Sequence, residues 1–302
     1  MSNIVIHKRG NIRVEVLADS TDLNNHHRAM TFRLHYPRFI HSEFMTHRLF
    51  SRNASSSRAI PVGKMILQVE ESPAMPIHWG VNQPGMQAKE EFQGVAQEAI
   101  KALWISASKV VCSIARVMES MKVHKQIVNR ILEPFQMMNV IMTTTEMANF
   151  LHLRAHPDAQ PEIQELALGI KEAIEASTPV SLSPGQWHLP FITVKVEDGE
   201  QKYFDSEGNA LTQEEALMVS ASCCAQVSYR KEDGSLEKAR SIFDRLINSE
   251  PCHASPVEHQ LKAMTGNLEP GVTHVDLDGT FWSGNSRGFI QYRKLIPGES
   301  VW

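Results

Sequence analysis

Apolar and polar residues alternate through Thr31 to Tyr36, with Phe32, Leu34 and Tyr36 separated by Arg33 and His35. A period of two belongs to a strand with one buried face, so this stretch predicts a β-strand, closed by Pro37. Val14 to Leu17 predicts another. Beyond Pro37 the period lengthens: Ile40 and Phe44, with Met45 beside them, predict a short helix over Arg38 to Arg48 that carries His47 and Arg48 to its C-terminal end. The longest helical pattern runs through Phe92, Val95, Ala99, Leu103, Ala107, Val110, Ile114 and Met118 in steps of three or four, and predicts a long amphipathic helix with that stripe in the core. A second helix, about Lys122 to Leu132, must stop before Pro134, because a residue preceding proline is pushed out of the helical region. That places Arg130 near a helix end.

The remaining pattern is punctuated by proline and glycine. Pro61 to Met86 carries Pro61, Pro73, Pro76 and Pro84 with Gly63, Gly80 and Gly85, and predicts an irregular connection. Thr143 to Arg154 has helical spacing at Met147, Phe150 and Leu151, leaving Asn149 and Arg154 off the apolar stripe. Pro161 suits the first position of a helix continued by Ile163, Leu166, Ile170 and Ile174. Residues 179–192 mark a break, and Tyr203 to Leu211 reads as a hairpin tip, so that 195–211 could form a surface insertion. Thr212 with Glu215 is a capping-box pair, Ser235 can cap a helix through Leu246, and Ser255-Pro256 with Glu258 predicts a further helix start, with free amide donors beside His253.

Composition narrows the class. The 302 residues are 42% hydrophobic, enough for a substantial core, and the formal charge of −4 with a pI near 6.4 supplies no global field to hold nucleic acid. Cys112, Cys223, Cys224 and Cys252 include two neighbours and form no disulfide framework, which points to a reducing cytoplasm. They also lack metal-ligand spacing, so no metal is expected. Neither an apolar leader nor a membrane-length apolar run occurs, and no span is expected.

One polar island stands out. Met45 to Arg58, MTHRLFSRNASSSR, holds Arg48, Arg52 and Arg58 with Ser51, Ser55, Ser56 and Ser57. Guanidinium forks and short hydroxyl donors are the groups that grip phosphate oxygens. By composition alone the stretch reads equally as an anion cradle or as a solvated basic loop.

The islands together resemble the flavin-dependent thymidylate synthases. That family's signature, Arg-His-Arg-x-x-Ser-x-Asn-Glu-x-Ser-x-Arg-Tyr, matches Thr46 to Ala59 at His47, Arg48, Ser51, Asn53, Ser56 and Arg58, and departs from it at Thr46, Ala54 and Ala59. Asn149 to Glu175, NFLHLRAHPDAQPEIQELALGIKEAIE, is similar to the family's segment Asn-Phe-x-x-Leu-Arg followed by Ala-Gln-x-Glu-Ile-Gln. VNRILEP around Arg130 looks like its Ala-Arg-x-x-Leu-Pro segment. CAQVSYR from Cys224 and CHASPVEH from Cys252 look like two further segments, Ala-Arg-Val-Ser-Phe and Gly-His-x-Thr-Pro-Phe-Glu-His, which in the family precede the signature. Here they follow it.

The resemblance implies an α+β (α/β) fold, a twisted mixed β-sheet packed by long helices with permuted segment order. It implies a single catalytic domain over 1–302 with a relocated block at about 212–302. It implies transfer of a one-carbon unit from methylenetetrahydrofolate to C5 of dUMP, with FAD as hydride carrier and NADPH as reductant, in a homotetramer with interface sites. Carried over by position, His47, Arg48, Asn149, Ser228, His253 and Ser255 would contact FAD. Ser56, Ser57, Arg58 and Arg130 would hold the dUMP phosphate, and Arg154 would approach the pyrimidine, with Arg154 and Ser56 as catalytic residues. Two alternatives remain beside this: a pyrimidine hydroxymethylase of the same fold, and a nucleotide- or RNA-binding homologue without catalysis, which the departures at Thr46 and Ala54 motivate.

Overall fold

The computed structural model describes residues 4–9, by backbone only, together with 11–23, 27–228 and 232–300. Tyr229 and Arg230, part of one matched segment, lie outside the described residues. Along the chain come β1 (Ile4–Arg9), β2 (Ile12–Asp22), β3 (Arg28–Pro37), α1 (His41–Phe44), β4 (Ser51–Ala54), α2 (Val62–Glu71), α3 (Gly94–Ser120) and α4 (Lys125–Leu132). Then follow β5 (Met137–Thr144), α5 (Ala148–Arg154), α6 (Pro161–Ala176), β6 (Val180–Leu182), β7 (Trp187–His188), β8 (Thr193–Glu197), β9 (Glu200–Phe204) and β10 (Ala210–Leu211). The last part holds α7 (Gln213–Ala225), α8 (Leu236–Leu246), a 3-10 turn at Ser255–Glu258, and the short strands β11 (Leu261–Ala263), β12 (His274–Val275), β13 (Phe281–Ser283), β14 (Ser286–Arg287) and β15 (Phe289–Gln291).

The central sheet runs β1-β2-β3-β5-β4, antiparallel throughout, and β6 joins β2 in parallel, which makes it mixed. Its two faces differ because strand side chains alternate. Phe32, Leu34 and Tyr36 of β3, with Val140 and Met142 of β5, point to one side and pack on Ile163, Leu166 and Ile170 of α6. The opposite side carries Thr31, Arg33 and His35 of β3, Asn139, Ile141 and Thr143 of β5, and Ser51 and Asn53 of β4. The C-terminal block covers this polar face: Ile141 packs on Cys224 and Val227, and Asn53 Nδ2 donates to the Cys224 carbonyl at 3.2 Å. Helices α2, α3 and α4 form a second core around Met65, Cys112, Val128 and Leu132.

Several expectations are corrected. Residues 62–71, within the stretch read as irregular, form α2: Pro61 stands just ahead of the first turn, and Val62, Met65, Ile66 and Val69 make a buried stripe. The helix after Pro37 is only a 3-10 turn and one short α-helix, and ends at Phe44, three residues before His47. Thr143 and Thr144 belong to β5, so the helix there is confined to Ala148–Arg154. Ser255 caps nothing; the segment is one 3-10 turn. Helix α3 spans the expected range, but its buried residues are Ser108, Cys112 and Ala115, while Val95, Leu103, Val110 and Ile114 of the expected core stripe face outward. The capping box at Thr212 and Glu215, the Ser235 cap and the hairpin pairing Phe204 with Ala210 form as expected. Within 195–211, Tyr203 is buried against Trp187 and Leu217, so this small sheet is packed on the body of the chain.

Candidate active site

The basic island is divided by β4. Ser51 to Ala54 pair with Val140 to Thr143 of β5, which fixes the residues on either side at the two ends of a short strand, on the order of 15 Å apart.

At the leading end, Arg52 turns back and donates from Nη1 to the carbonyls of Phe44 (3.0 Å) and His47 (2.9 Å). It therefore shapes the loop rather than facing a ligand. The His47 ring packs edge-on against Phe150 with centroids 4.8 Å apart, and its Nε2 accepts from Arg154 Nε at 3.0 Å. Burial, with the Arg154 and Arg52 charges next, lowers the His47 pKa to about 4, so the ring is neutral and an acceptor at neutral pH. Arg154 is also ion-paired to Glu43. Phe150, the buried residue of α5, thus seats His47, while Arg154 at the end of the same helix reaches it.

At the trailing end the chain forms a tight loop. The Arg58 amide donates to Ser56 Oγ at 3.3 Å, and buried Asn129 of α4 donates from Nδ2 to the carbonyls of Ser57 (2.7 Å) and Ile60 (2.9 Å). Glu133, just past α4, accepts from Ser57 Oγ at 2.9 Å and from Arg130 Nη1 at 3.0 Å, and pairs with Arg38 Nη2 at 3.1 Å. One carboxylate therefore gathers Ser57, Arg130 and Arg38 beside Ser56 and Arg58. The Ser56 amide donates to Ser228 Oγ at 3.0 Å, a contact across 172 positions that joins the C-terminal block to this loop within one chain.

The remaining expected residues are placed at the surface. Arg48, Asn149, His253 and Ser255 are exposed, and their side chains make no hydrogen bond or ion pair to the described residues. The 3-10 turn holding Ser255 packs on β4, so His253 and Ser255 lie on the strand's side of the molecule. Sequence reasoning missed Arg38, Glu43, Asn129 and Glu133. Of these, Glu133 and Asn129 stand inside the VNRILEP segment, whose resemblance points to Arg130 alone; Arg38 and Glu43 carried no signal.

Among the described residues no cysteine is an activated nucleophile, since every thiol is pushed up by burial. Burial pushes the Cys223 thiol up to about 12 and Cys224 further, and both lie in the core. Among the described residues no cluster of His, Cys, Asp and Glu could hold a metal ion. What the arrangement offers is a donor-rich loop for an anion at one end of β4 and a neutral imidazole coupled to a guanidinium at the other.

A family model described as thymidylate synthase complementing protein matches residues 24–180, more than half of the chain. The chain belongs to that family. The matched stretch contains β3 to α6 and so both ends of the site, whereas Ser228, His253 and Ser255 lie beyond it. Among solved structures, the chain is similar to a UMP/dUMP methylase, PolB, from Streptomyces cacaoi bound with 5-Br UMP, at 19% identity and a TM-score of 0.47 over 57% of this chain and 92% of that one. The same protein bound with 5-Br dUMP gives 17% identity and a TM-score of 0.46 over 55% and 90%. No curated protein matches.

Proposed function

We propose that this chain transfers a one-carbon unit from methylenetetrahydrofolate to C5 of dUMP, giving dTMP, with FAD and NADPH as the redox partners. The observation that carries the reading is the loop Ser56-Ser57-Arg58, assembled with Arg130 and Arg38 around Glu133 at the end of a strand whose other end holds His47 and Arg154. A nucleotide phosphate at the loop accepts from the Ser56 hydroxyl and from the Arg58 and Arg130 forks, which are charge-assisted contacts, while Ser57, whose hydroxyl donates to Glu133, holds the loop in shape. The pyrimidine then extends along β4 toward Arg154. With Nε on His47 and Nη1 on Glu43, Arg154 keeps Nη2 for a ring carbonyl, where it would stabilise negative charge developing on the base. Neutral His47 holds that guanidinium in place without competing for the anion.

The residues fit FAD in kind. Arg48, His253, Asn149 and Ser255 are exposed donors without described partners, the type of set that a pyrophosphate and a ribityl chain require, and Ser228 stands beside the nucleotide loop. FAD, when bound, would carry the hydride that the transferred carbon needs. The protein's part is to position two anionic ligands and exclude alternatives.

A homotetramer with interface sites belongs to the same proposal. Its support is α3, where Val95 is 88% and Leu103 70% exposed on the face that also carries Val110 and Ile114. An apolar stripe of this length on one helix is characteristic of an association surface. The deciding experiment is calorimetric binding of dUMP: affinity in the micromolar range that falls at least tenfold in Arg58→Ala supports the reading, and absence of dUMP binding by the wild-type chain overturns it.

A further inference from the structure

Pro37 closes β3, and the next residue, Arg38, opens a 3-10 turn with its amide donating to the Gln136 carbonyl at 2.8 Å. The Gln136 amide donates in turn to the Glu133 carbonyl at 3.2 Å. The backbone of Arg38 is thereby tied to the turn that carries Glu133. Its side chain, 20% exposed, follows the same course, and Nη2 lies 3.1 Å from Glu133 Oε1. That oxygen is the one that also accepts from Ser57 Oγ and from Arg130 Nη1.

Two guanidiniums on a single carboxylate oxygen leave both incompletely matched. A guanidinium presents five N–H donors in a plane, and a carboxylate that matches it well takes two of them side by side. Glu133 meets each fork through one nitrogen only, and neither Arg38 nor Arg130 has another side-chain partner among the described residues. The remaining donors of Arg38 are not shut off from solvent, and Arg130 is 57% exposed. Both forks keep a free edge for a ligand.

The charges are uneven as well. Arg38, Arg58 and Arg130 are set against Glu133, and the Lys125 ammonium, which donates to the Ala59 carbonyl at 3.2 Å, adds a further cation at the end of the loop. Among the described residues no second carboxylate bonds to any of the four. At least two positive charges are therefore left over beside the Ser56 hydroxyl. A phosphate monoester carries roughly two negative charges at pH 7, whereas a phosphodiester carries about one. The monoester matches the surplus, and the diester leaves a guanidinium uncompensated.

We propose that Arg38 is a further contact to the substrate phosphate and that, with Arg58 and Arg130, it makes the loop selective for a terminal phosphate monoester over a phosphodiester; this rests on the reading of that loop as the nucleotide site. The substrate class that follows is a free nucleoside monophosphate. A nucleic-acid strand, whose internal phosphates are diesters, is disfavoured by the same charge count.

The test is calorimetric titration of the whole chain with dUMP and with its methyl phosphodiester, in wild type, Arg38→Ala and Arg38→Lys. Wild type is expected to bind dUMP about tenfold or more tightly than the methyl ester, the scale of one hydrogen bond to a charged group. Arg38→Ala is expected to weaken dUMP by about tenfold or more and the ester by a smaller factor, so that the preference shrinks, while Arg38→Lys, which keeps the charge, retains part of it. Unchanged dUMP affinity in Arg38→Ala, or an equal loss for dUMP and its ester, overturns the proposal and leaves Arg38 a structural partner of Glu133. Equal affinity of wild type for dUMP and its ester overturns the selectivity. Absence of dUMP binding by wild type overturns the reading of the loop itself, and the proposal with it, so the two failures are told apart. Should Arg38→Ala fail to fold, Arg38→Gln, which keeps most of the side chain without its charge, decides the same question.

Discussion

At the scale of single residues, the proposed cradle divides into side chains left free for a ligand and side chains committed to holding the loop. Arg58 and Arg130 are exposed and contribute little to the fold, whereas Asn129 and Arg52 are spent on backbone carbonyls. Arg130→Ala and Arg58→Ala should each weaken dUMP by roughly ten- to a hundredfold, the scale of one hydrogen bond to a charged group, with the thermal midpoint nearly unchanged; a midpoint shift without an affinity change would assign these arginines to structure. Most candidate residues were legible from their resemblance to a signature. The role of Glu133 was not, because one carboxylate gathering Ser57, Arg130 and Arg38 depends on three elements meeting in space, and no spacing in the sequence encodes that.

Elements show where pattern reading succeeds and where it stops. β3 was legible because its alternation reflects a real difference between the two sheet faces. Helix α2 was hidden by Pro61 and Gly63, which read as breakers although one stands just before the helix and the other within its first turn. The periodicity of α3 gave its length but not its partner, since a stripe has the same period whether its own chain or another covers it. The capping box of α7 gives a direct check: Thr212→Ala should lower stability by about 1 kcal/mol in denaturant unfolding, without affecting dUMP binding. Across the polar sheet face, Ser20, His188, Thr31, Thr143 and His259 form one buried hydrogen-bonded chain with links of 2.7–2.9 Å. Burial lowers the His188 pKa to about 4 and that of His259 to about 3, with Asp19 opposing at His188 and His188 itself adding at His259. Unfolding releases both to near 6.5, so the unfolded chain binds more protons below that value. Stability should therefore be complete above about pH 6.5 and fall toward pH 4, with a slope of up to about 1.4 kcal/mol per pH unit for each histidine. Urea midpoints measured between pH 7 and 4 check this, and His188→Gln should flatten the profile.

At the scale of the molecule, the chain is a sheet with one face closed by α6 and the other by a C-terminal block that also supplies Ser228 to the Ser56–Arg58 loop. The family match ends at residue 180, yet the contacts of Ser56 with Ser228 and of Asn53 with Cys224 tie the later residues into the same site. No helix among the described residues is long and apolar enough to cross a membrane. The exposed α3 stripe is assigned to subunit association, and Leu103→Asp with Val110→Asp should convert the assembly to monomer in sedimentation velocity while leaving the unfolding midpoint of the chain unchanged. An unaltered sedimentation coefficient would remove that assignment. The central claim is the one-carbon transfer, and the measurement that reaches it most directly is the mass of the nucleotide product after incubation of the purified chain with dUMP, methylenetetrahydrofolate, FAD and NADPH. The account predicts a product heavier than dUMP by one CH2, formed only with all four present and lost in Arg154→Ala. Unchanged dUMP, or a product heavier by CH2O, would contradict it.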